Sequence, residues 1–143
     1  PERMVIDIDG DGSLNMSIHE LSTLHRYGLG VKVVCINNQW LGMVRQWQDM
    51  IYGGHRAESS LADPMSVKRS DDADIYPDFV TIAAGYRVKA ERVRTRAELV
   101  AAYARMLEDP KEPYLVDVIV DQEQNVYPMI PAGGSYKDII LES

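Results

Sequence analysis

Two short polar motifs hold the side chains best suited to bind a metal ion. The run GDGS, at residues 10–13, follows one apolar stretch, and the pair NN, at 37–38, follows the next. The carboxylate of Asp11 and the amide oxygen of Asn38 are hard donors that suit Mg²⁺ or Ca²⁺ rather than zinc. Mg²⁺ prefers a few protein oxygens together with phosphate oxygens and water. Because the glycines let the backbone approach a phosphate and a helix N-terminus favours its charge, the motifs predict a metal-bridged diphosphate site.

Both motifs lie where a predicted strand ends. Met4–Asp9 and the β-branched run Val31–Asn37 are predicted to be buried strands. The spacing of apolar residues from Leu14 to Tyr27 predicts one helix between them. Two parallel strands joined by a crossover helix bring their carboxyl ends to the same edge of a sheet. We therefore expect Asp11 and Asn38 to lie on that edge together.

The rest of the chain continues to alternate between helices and strands. Further helices are predicted at 41–52, 77–86 and 96–108, and further strands at 88–93 and 114–120. A long irregular loop is predicted at 55–76, and a tail with a last short helix at 121–143. The alternation predicts an α/β fold of three layers, α/β/α, with a mostly parallel sheet in a single domain over residues 1–143.

Local signals predict how the helices begin and what they bury. Ser17-x-x-Glu20 and Thr95-x-x-Glu98 are interpreted as capping boxes, and Pro77 is expected in the first turn of its helix. The helix after Thr95 is expected to bury Leu99, Val100, Tyr103, Ala104 and Leu107.

Composition narrows the classes of protein that the chain can belong to. The 143 residues carry a net charge of −7 with acidic and basic side chains mixed, so nucleic acid is not expected as a partner. Neither a membrane span nor a signal peptide is predicted within these residues, and a secreted protein is not expected. The single cysteine, Cys35, is interpreted as a buried small hydrophobe. Because the chain starts with Pro1 rather than Met, it is interpreted as part of a longer polypeptide.

The joint pattern is more specific than either motif alone. Gly-Asp-Gly occurs in many tight turns, and Asn-Asn suits a left-handed turn residue with no ligand role. GDGSLN lacks the third glycine of the dinucleotide-binding loop. GDG followed after about 24 residues by NN, however, resembles the signature of thiamin-diphosphate enzymes.

Two further runs resemble one family of these enzymes. NNQWLGMVRQWQ, at 37–48, resembles the acetohydroxyacid synthase run NNxxxGMVxQW, and PMIPAGGSYKD, at 128–138, resembles that family's C-terminus. The resemblance covers essentially the whole chain. It implies the thiamin-diphosphate-binding domain at the C-terminal end of the catalytic subunit.

The resemblance assigns roles to individual residues. It implies that Asp11 and Asn38 are side-chain ligands of Mg²⁺ and that Trp40 contributes its backbone oxygen. Contacts with the cofactor are implied for those two side chains and for Gly10, Gly12, Ser13, Met16, Gly42, Met43 and Val44. A substrate channel, in which sulfonylurea- and imidazolinone-type herbicides stack in this family, is implied for Met43, Val44, Trp47 and Ala132.

Residues on the helix at 41–52 also admit plainer interpretations. Met43, Val44 and Trp47 have the spacing of an ordinary helix face packed on a core. Arg45 is either a solvated helix charge or a group that faces a ligand. The residues alone do not decide between these interpretations.

The family's reaction joins pyruvate to a second 2-ketoacid such as 2-ketobutyrate, in branched-chain amino-acid biosynthesis. In this family a glutamate from another domain of a partner subunit activates the cofactor, so no catalytic residue is expected in this chain. The resemblance also implies an FAD-binding domain elsewhere, a homodimer or tetramer with active sites between subunits, a possible regulatory subunit, and a tail at 121–143 that packs over the active site. Members are cytoplasmic in bacteria and plastid proteins in plants and algae.

Two alternatives remain open from the sequence. One is another thiamin-diphosphate enzyme, such as a 2-ketoacid decarboxylase, an oxidase or glyoxylate carboligase, against which the GMVxQW run argues. The other is a non-catalytic module that binds a metal and a diphosphate.

Overall fold

The structure is a computed structural model that describes residues 3–62 and 75–142. The strands are β1 (Ile6–Gly10), β2 (Lys32–Asn37), β3 (Lys89–Val93) and β4 (Tyr114–Ile119). The helices are α1 (Asp11–Ser17), α2 (Glu20–Tyr27), α3 (Gly42–Ile51), α4 (Phe79–Gly85) and α5 (Arg96–Glu108), with a 3-10 turn at Tyr136–Asp138. No helix in this part of the chain has the length and apolar character needed to cross a membrane. The predicted irregular loop at 55–76 falls largely on residues 63–74, outside the described residues.

The four strands form one parallel sheet in the order β1-β2-β4-β3, which confirms the predicted fold class. The expectation that the first strand is buried is wrong: β1 lies at the edge of this described sheet, and its Ile6 and Ile8 side chains are 49% and 70% exposed. Gly10 lies beside Ile36, and Asn37 lies beside Ile119. The ends of β1, β2 and β4 are therefore aligned along one side of the sheet, which we call the carboxyl edge. The side where β2 and β4 begin, with Lys32 beside Tyr114, is the amino edge.

Helices cover both faces of the sheet because strand residues alternate between two cores. Val33, Cys35 and Leu115 pack on one face with α1, α2 and α4. Val34 and Val116 pack on the other face with α5. The connection from β3 back to β4 runs opposite to the two earlier connections, so a right-handed crossover places α5 on the opposite face.

Two expectations about the first helix are wrong. The predicted helix from Leu14 to Tyr27 is two helices, because α1 ends at Ser17 and α2 begins at Glu20. The apolar spacing continues across this break because both helices cover the same face of the sheet. The Ser17-x-x-Glu20 capping box does not form: His19 is the N-cap of α2, and the Glu20 carboxylate lies 3.4 Å from the His19 ring instead.

Two later helices differ from the expectation in detail. Pro77 precedes α4 rather than entering its first turn, and Asp78 caps the helix by accepting from the Thr81 amide. The capping box of Thr95 is confirmed. The buried face of α5 is instead formed by Ala102 and Met106, with Leu99 and Tyr103 partly buried, whereas Val100, Ala104 and Leu107 are exposed.

Candidate metal and diphosphate site

The Asp11 carboxylate joins the ends of β1 and β2. Asp11 is the first residue of α1 and is buried. Its Oδ1 accepts from the Gly12 amide at 2.8 Å, and its Oδ2 accepts from the Gln39 amide at 2.5 Å. The residue that follows β1 is thus bonded directly to the loop that follows β2, as the shared edge requires.

The negative charge of Asp11 has no cationic partner among residues 3–62 and 75–142. Burial raises the pKa of this carboxyl above its ordinary value, against the lowering effect of amide donors from Gly12, Gln39 and Asn38, and the nearby charge of Asp117 raises it further. A buried carboxylate is costly unless it is paired or coordinates a metal. A divalent cation therefore fits this position.

The loop after β2 has a backbone conformation that aligns further oxygens. Gln39 has a left-handed φ of 58°, which is uncommon outside glycine. The Asn38 side-chain oxygen accepts from the Trp40 amide at 3.0 Å. A Cβ on Gly42 would lie 2.8 Å from the Asn38 side-chain nitrogen, so a larger residue there would displace this amide from its observed position.

A bridge to the segment before residue 62 fixes the same loop. Leu41 donates to the Ser59 carbonyl and Leu61 donates to the Gln39 carbonyl, both at 2.8 Å. Trp40 is the residue between these two bonds and is paired with Ser60. The bridge therefore leaves the Trp40 carbonyl unused, in keeping with a role as a main-chain metal ligand.

The residues predicted to meet the diphosphate differ in their surroundings. A Cβ added to Gly10 would meet nothing within 4 Å, whereas one on Gly12 would lie 2.9 Å from the Leu41 side chain. Gly10 therefore borders open space, whereas Gly12 packs closely against the Leu41 side chain. Ser13 and Met16 are exposed on α1. Their contacts with a cofactor remain predictions.

One face of α3 borders an open apolar cavity of about 550 Å³. Met43, Val44 and Trp47 are 47%, 48% and 41% exposed, so the interpretation of these residues as a helix face packed on the core is wrong for this chain. The remaining lining residues are Gln48, Tyr52 and His55. The volume lies in the range of small-molecule sites. Ala132 is not part of this lining, and its place in a substrate channel remains a prediction.

The opposite face of α3 holds the start of the C-terminal tail. Arg45 is buried, which excludes a solvated helix charge, and it donates to the Gln124 carbonyl and, at 2.7 Å, to the Asn125 side chain. The Gln46 amide donates to the Val126 carbonyl and accepts from the Val126 amide. These contacts attach the tail to the helix whose other face borders the cavity.

The sequence reasoning missed several buried polar residues at the carboxyl edge. Asn37 and Asp117 are fully buried, and their side chains are hydrogen-bonded to each other at 2.9 Å. A charged residue within the apolar run YLVDVIV was the available signal for Asp117. In the described part of the chain, no three His, Cys, Asp or Glu side chains come together as a metal site. The candidate site depends on one carboxylate, an amide oxygen and a backbone oxygen.

The same chain matches a known protein family along most of its length. Residues 1–118 match the family described as thiamine pyrophosphate enzyme, C-terminal TPP binding domain. The chain belongs to this family. The description of this family as a C-terminal TPP binding domain agrees with the domain that the resemblance of the runs at 37–48 and 128–138 implied.

Among thiamine pyrophosphate enzymes, the chain is similar in sequence to several acetolactate synthases. The chain is 49% identical over 142 residues to acetolactate synthase 1, chloroplastic, of Oryza sativa subsp. japonica, and 48% identical to acetolactate synthase 1 of Zea mays. These alignments cover 99% of this chain and 21% of each relative. The chain thus spans about a fifth of the length of these relatives.

A solved structure shares the fold of this thiamine pyrophosphate enzyme domain. It is the thiamine diphosphate-dependent 4-hydroxybenzoylformate decarboxylase of Rhodococcus jostii RHA1, with a TM-score of 0.72 and 26% identity. The match covers 87% of this chain and 21% of that chain.

Proposed function

We propose that this chain is the domain of an acetolactate synthase that anchors thiamin diphosphate through Mg²⁺. The reaction is the carboligation of pyruvate with a second pyruvate or with 2-ketobutyrate. The observation that carries this proposal is the 48–49% identity to acetolactate synthases over 99% of the chain. The uncompensated buried Asp11 supports the metal, and the apolar cavity beside α3 supports a small organic ligand.

The residues of this chain bind and orient the cofactor. The Asp11 carboxylate, the Asn38 amide oxygen and the Trp40 carbonyl would hold Mg²⁺, and the metal would supply positive charge to the diphosphate. Gly10 provides open space for the diphosphate, and Gly12, Ser13 and Met16 lie along the helix that follows. Thiamin diphosphate supplies the electron sink that allows carbon dioxide to leave one ketoacid and a new carbon–carbon bond to form. Met43, Val44 and Trp47 exclude water from the substrates by lining the cavity.

The rest of the enzyme supplies what this chain does not. We place the glutamate that activates the cofactor on another domain of a partner subunit, together with an FAD-binding domain in the full-length polypeptide. The active site then lies between subunits of a homodimer or tetramer, with the tail at 121–143 packed over it. The plant relatives are named chloroplastic, so a plastid location is proposed for a plant or algal source and the cytoplasm for a bacterial source. A regulatory subunit is a further possible partner.

The metal site is tested by the Asp11→Ala variant of the full-length polypeptide. The magnesium concentration that half-saturates thiamin-diphosphate binding, measured by calorimetry, should rise at least about 100-fold, because loss of groups that merely support metal ligands already costs about 10–100-fold. Asn15→Ala is the matched control, since Asn15 is an exposed polar residue of the same helix. Equal magnesium dependence in wild type and Asp11→Ala would refute the metal site.

The reaction is tested by analysing the product that the full-length polypeptide forms from pyruvate. Acetolactate is expected. The isolated 143-residue chain, given pyruvate, thiamin diphosphate, Mg²⁺ and FAD, should form none. Turnover by the isolated chain near the rate of the full-length polypeptide would contradict the proposal that the activating group lies elsewhere.

A 2-ketoacid decarboxylase is the second candidate, because the solved relative with a TM-score of 0.72 is named a decarboxylase. Acetaldehyde in place of acetolactate would favour this candidate. Either product leaves the metal and diphosphate site as proposed.

A further inference from the structure

A buried chain of hydrogen bonds crosses the carboxyl edge of the sheet from β3 to the candidate metal loop. Its centre is Asp117 on β4, whose side chain is 0% exposed. Asp117 Oδ2 accepts from Arg92 Nε at 2.8 Å, and Oδ1 accepts from Asn37 Nδ2 at 2.9 Å. Both carboxylate oxygens are thus used, one toward each neighbouring strand.

From Asp117 the chain of bonds continues into the loop after β2. The Asn37 side-chain oxygen accepts from the Gln39 amide at 3.1 Å, and the same amide donates to Asp11 Oδ2 at 2.5 Å. Asn37 is therefore held at both ends of its amide group. It contacts the loop at Gln39, which has the left-handed backbone.

The left-handed backbone makes this support necessary. A non-glycine residue in this conformation costs roughly 1 kcal/mol or more and persists only where its surroundings hold it. Gln39 lies between Asn38 and Trp40, which carry two of the three proposed metal-binding oxygens. A change in the Gln39 backbone therefore moves both oxygens relative to Asp11.

The other end of the chain of bonds is anchored in the scaffold. Arg92 donates through its terminal nitrogen to Asp78 at 2.7 Å, and Asp78 caps α4. The guanidinium thus connects two carboxylates on different elements and fixes the rotamer of Asp117. Among the described side chains that form this chain of bonds, Asp78, Asp117 and Asp11 are acidic and Arg92 is basic.

We propose that Asp117 is a positioning residue for the metal-binding loop, acting through Asn37 to set the backbone of residues 38–40. This inference rests on the proposed function, because it assigns a role toward the metal that Asp11, Asn38 and Trp40 are proposed to hold. The alternative is that Asp117 and Arg92 form a buried ion pair that stabilises the sheet and has no influence on metal binding.

The chain offers a matched control on the opposite face of the same sheet. Glu91 on β3 accepts from Nε and one terminal nitrogen of Arg105 and from the Tyr114 hydroxyl, and its side chain is 23% exposed. Glu91 and Asp117 are thus both carboxylates on adjacent strands, each paired with one arginine. Only Asp117 is connected to the metal loop.

The test compares Asp117→Asn, Asn37→Ala, their double variant and Glu91→Gln in the full-length polypeptide. Magnesium is titrated at fixed thiamin diphosphate by calorimetry, and kcat is measured at saturating Mg²⁺. Asp117→Asn and Asn37→Ala should each raise the magnesium concentration at half-saturation about 10–100-fold, as expected for groups that orient metal ligands. At saturating Mg²⁺, kcat should return to within about threefold of wild type, because the reacting groups are intact.

The pattern across variants separates positioning from stability. The double variant should raise the magnesium concentration at half-saturation no further than the single variant with the larger effect does. Both changes break the same connection, so their effects should not add. Glu91→Gln should lower stability without changing the magnesium requirement. The proposal is overturned if Asp117→Asn keeps the wild-type requirement or if the effects of Asp117→Asn and Asn37→Ala multiply. If Asp117→Asn does not fold, Asn37→Ala against Glu91→Gln decides the question.

Asp11→Ala in the same titration distinguishes a failure of the proposed metal site from a failure of the positioning role of Asp117. If Asp11→Ala does not alter the magnesium requirement, the proposed metal site itself is wrong. If Asp11→Ala alters it and neither Asp117→Asn nor Asn37→Ala does, only the positioning role is wrong.

Discussion

The two edges of the sheet each bury a charged side chain, yet they satisfy the charge in different ways. At the amino edge, Lys32 is fully buried and its ammonium donates to the Asp109 carbonyl at 2.6 Å and to the Glu112 carbonyl. At the carboxyl edge, buried Asp11 accepts only from backbone amides and meets no cation among the described residues. The first charge is satisfied by the chain, and the second is available to a ligand.

The space around Gly30 and Gly10 also differs between the two edges. A Cβ on Gly30, at the amino edge, would lie 2.1 Å from the Pro110 carbonyl oxygen, so two loops are in direct backbone contact there. A Cβ on Gly10, at the carboxyl edge, would meet nothing within 4 Å. At the amino edge the backbones of two loops are in contact beside Gly30, next to a cavity of about 280 Å³ that has no buried carboxylate in its lining. At the carboxyl edge Gly10 retains free space beside the buried Asp11. A binding site therefore belongs at the carboxyl edge, as in other parallel sheets.

The largest expected difference between the two edges is the loss of unfolding free energy when Gly30 or Gly10 is replaced by alanine. Gly30→Ala should lower the free energy of unfolding by about 3 kcal/mol, because overpacking against backbone forces the loops apart. Gly10→Ala should change stability by less than about 0.5 kcal/mol, as at sites without close contacts. Urea denaturation of the purified chain measures both. Equal losses would show that the two edges do not differ in packing.

Replacement of the buried lysine tests whether the amino edge is satisfied by the chain itself. Lys32→Met should cost about 1–3 kcal/mol, because the methionine retains the apolar stem but leaves buried carbonyls without a donor. Lys89→Met is the matched control, since Lys89 occupies the same row of the sheet and pairs with the Glu112 side chain while exposed. Lys89→Met should leave the denaturation midpoint unchanged. A loss of stability in Lys89→Met as large as that in Lys32→Met would show that the buried hydrogen bonds of Lys32 are not the cause.

The carboxyl edge could be predicted from sequence because its signals are local. The β-branched run VKVVCIN forms the buried strand β2 and is followed directly by Asn38, and the run MVIDID contains most of β1 and is followed directly by the GDGS motif. The break after Ser17 could not be predicted, because the apolar period continues through it without glycine or proline. The strand order β1-β2-β4-β3 likewise depends on pairing that no local pattern encodes.

The buried charges could not be predicted because their partners are distant in sequence. Lys32 bonds to a carbonyl 77 residues away, and Asn37 bonds to Asp117 80 residues away. Within its own run each of these residues is only a polar interruption of an apolar strand. The sequence was therefore enough to propose Asp11 and Asn38 as metal ligands, whereas the buried groups bonded to their loop required the structure.

A smaller effect is expected at the carboxyl edge when the space around the Asn38 side chain is reduced. Gly42→Ala in the full-length polypeptide should raise the magnesium requirement several-fold, because the new Cβ would lie 2.8 Å from the Asn38 amide and displace it. Calorimetric titration of Mg²⁺ at fixed thiamin diphosphate measures this. Gly85→Ala is the control, since a Cβ there meets nothing within 4 Å. An unchanged requirement in Gly42→Ala would mean that Asn38 has room to adjust.

Acid should weaken the attachment of α5 to β3 in a predictable direction. Hydrogen bonds from Arg105, opposed by burial and assisted by the Tyr114 hydroxyl, hold the pKa of Glu91 below its ordinary value of 4.5. Because this pKa is lowered in the folded state, the stability that Glu91 contributes is present above pH 4.5 and is lost as the pH falls through the folded-state pKa. The difference in unfolding free energy between wild type and Glu91→Gln should therefore be constant above pH 6 and shrink toward pH 3.

The Tyr114→Phe variant shows how much of this acid sensitivity comes from the hydroxyl. It removes one donor to Glu91 and leaves both Arg105 bonds, so its difference from wild type should shrink over the same pH range but by a smaller amount. Urea midpoints between pH 7 and pH 3 measure both variants. A gap between wild type and Glu91→Gln that stays constant to pH 3 would mean that Arg105 does not hold the carboxylate ionised. The ion pair between Glu91 and Arg105 would then contribute nothing to stability. The stability of the sheet would come from packing and from backbone contacts such as those of Gly30 and Lys32.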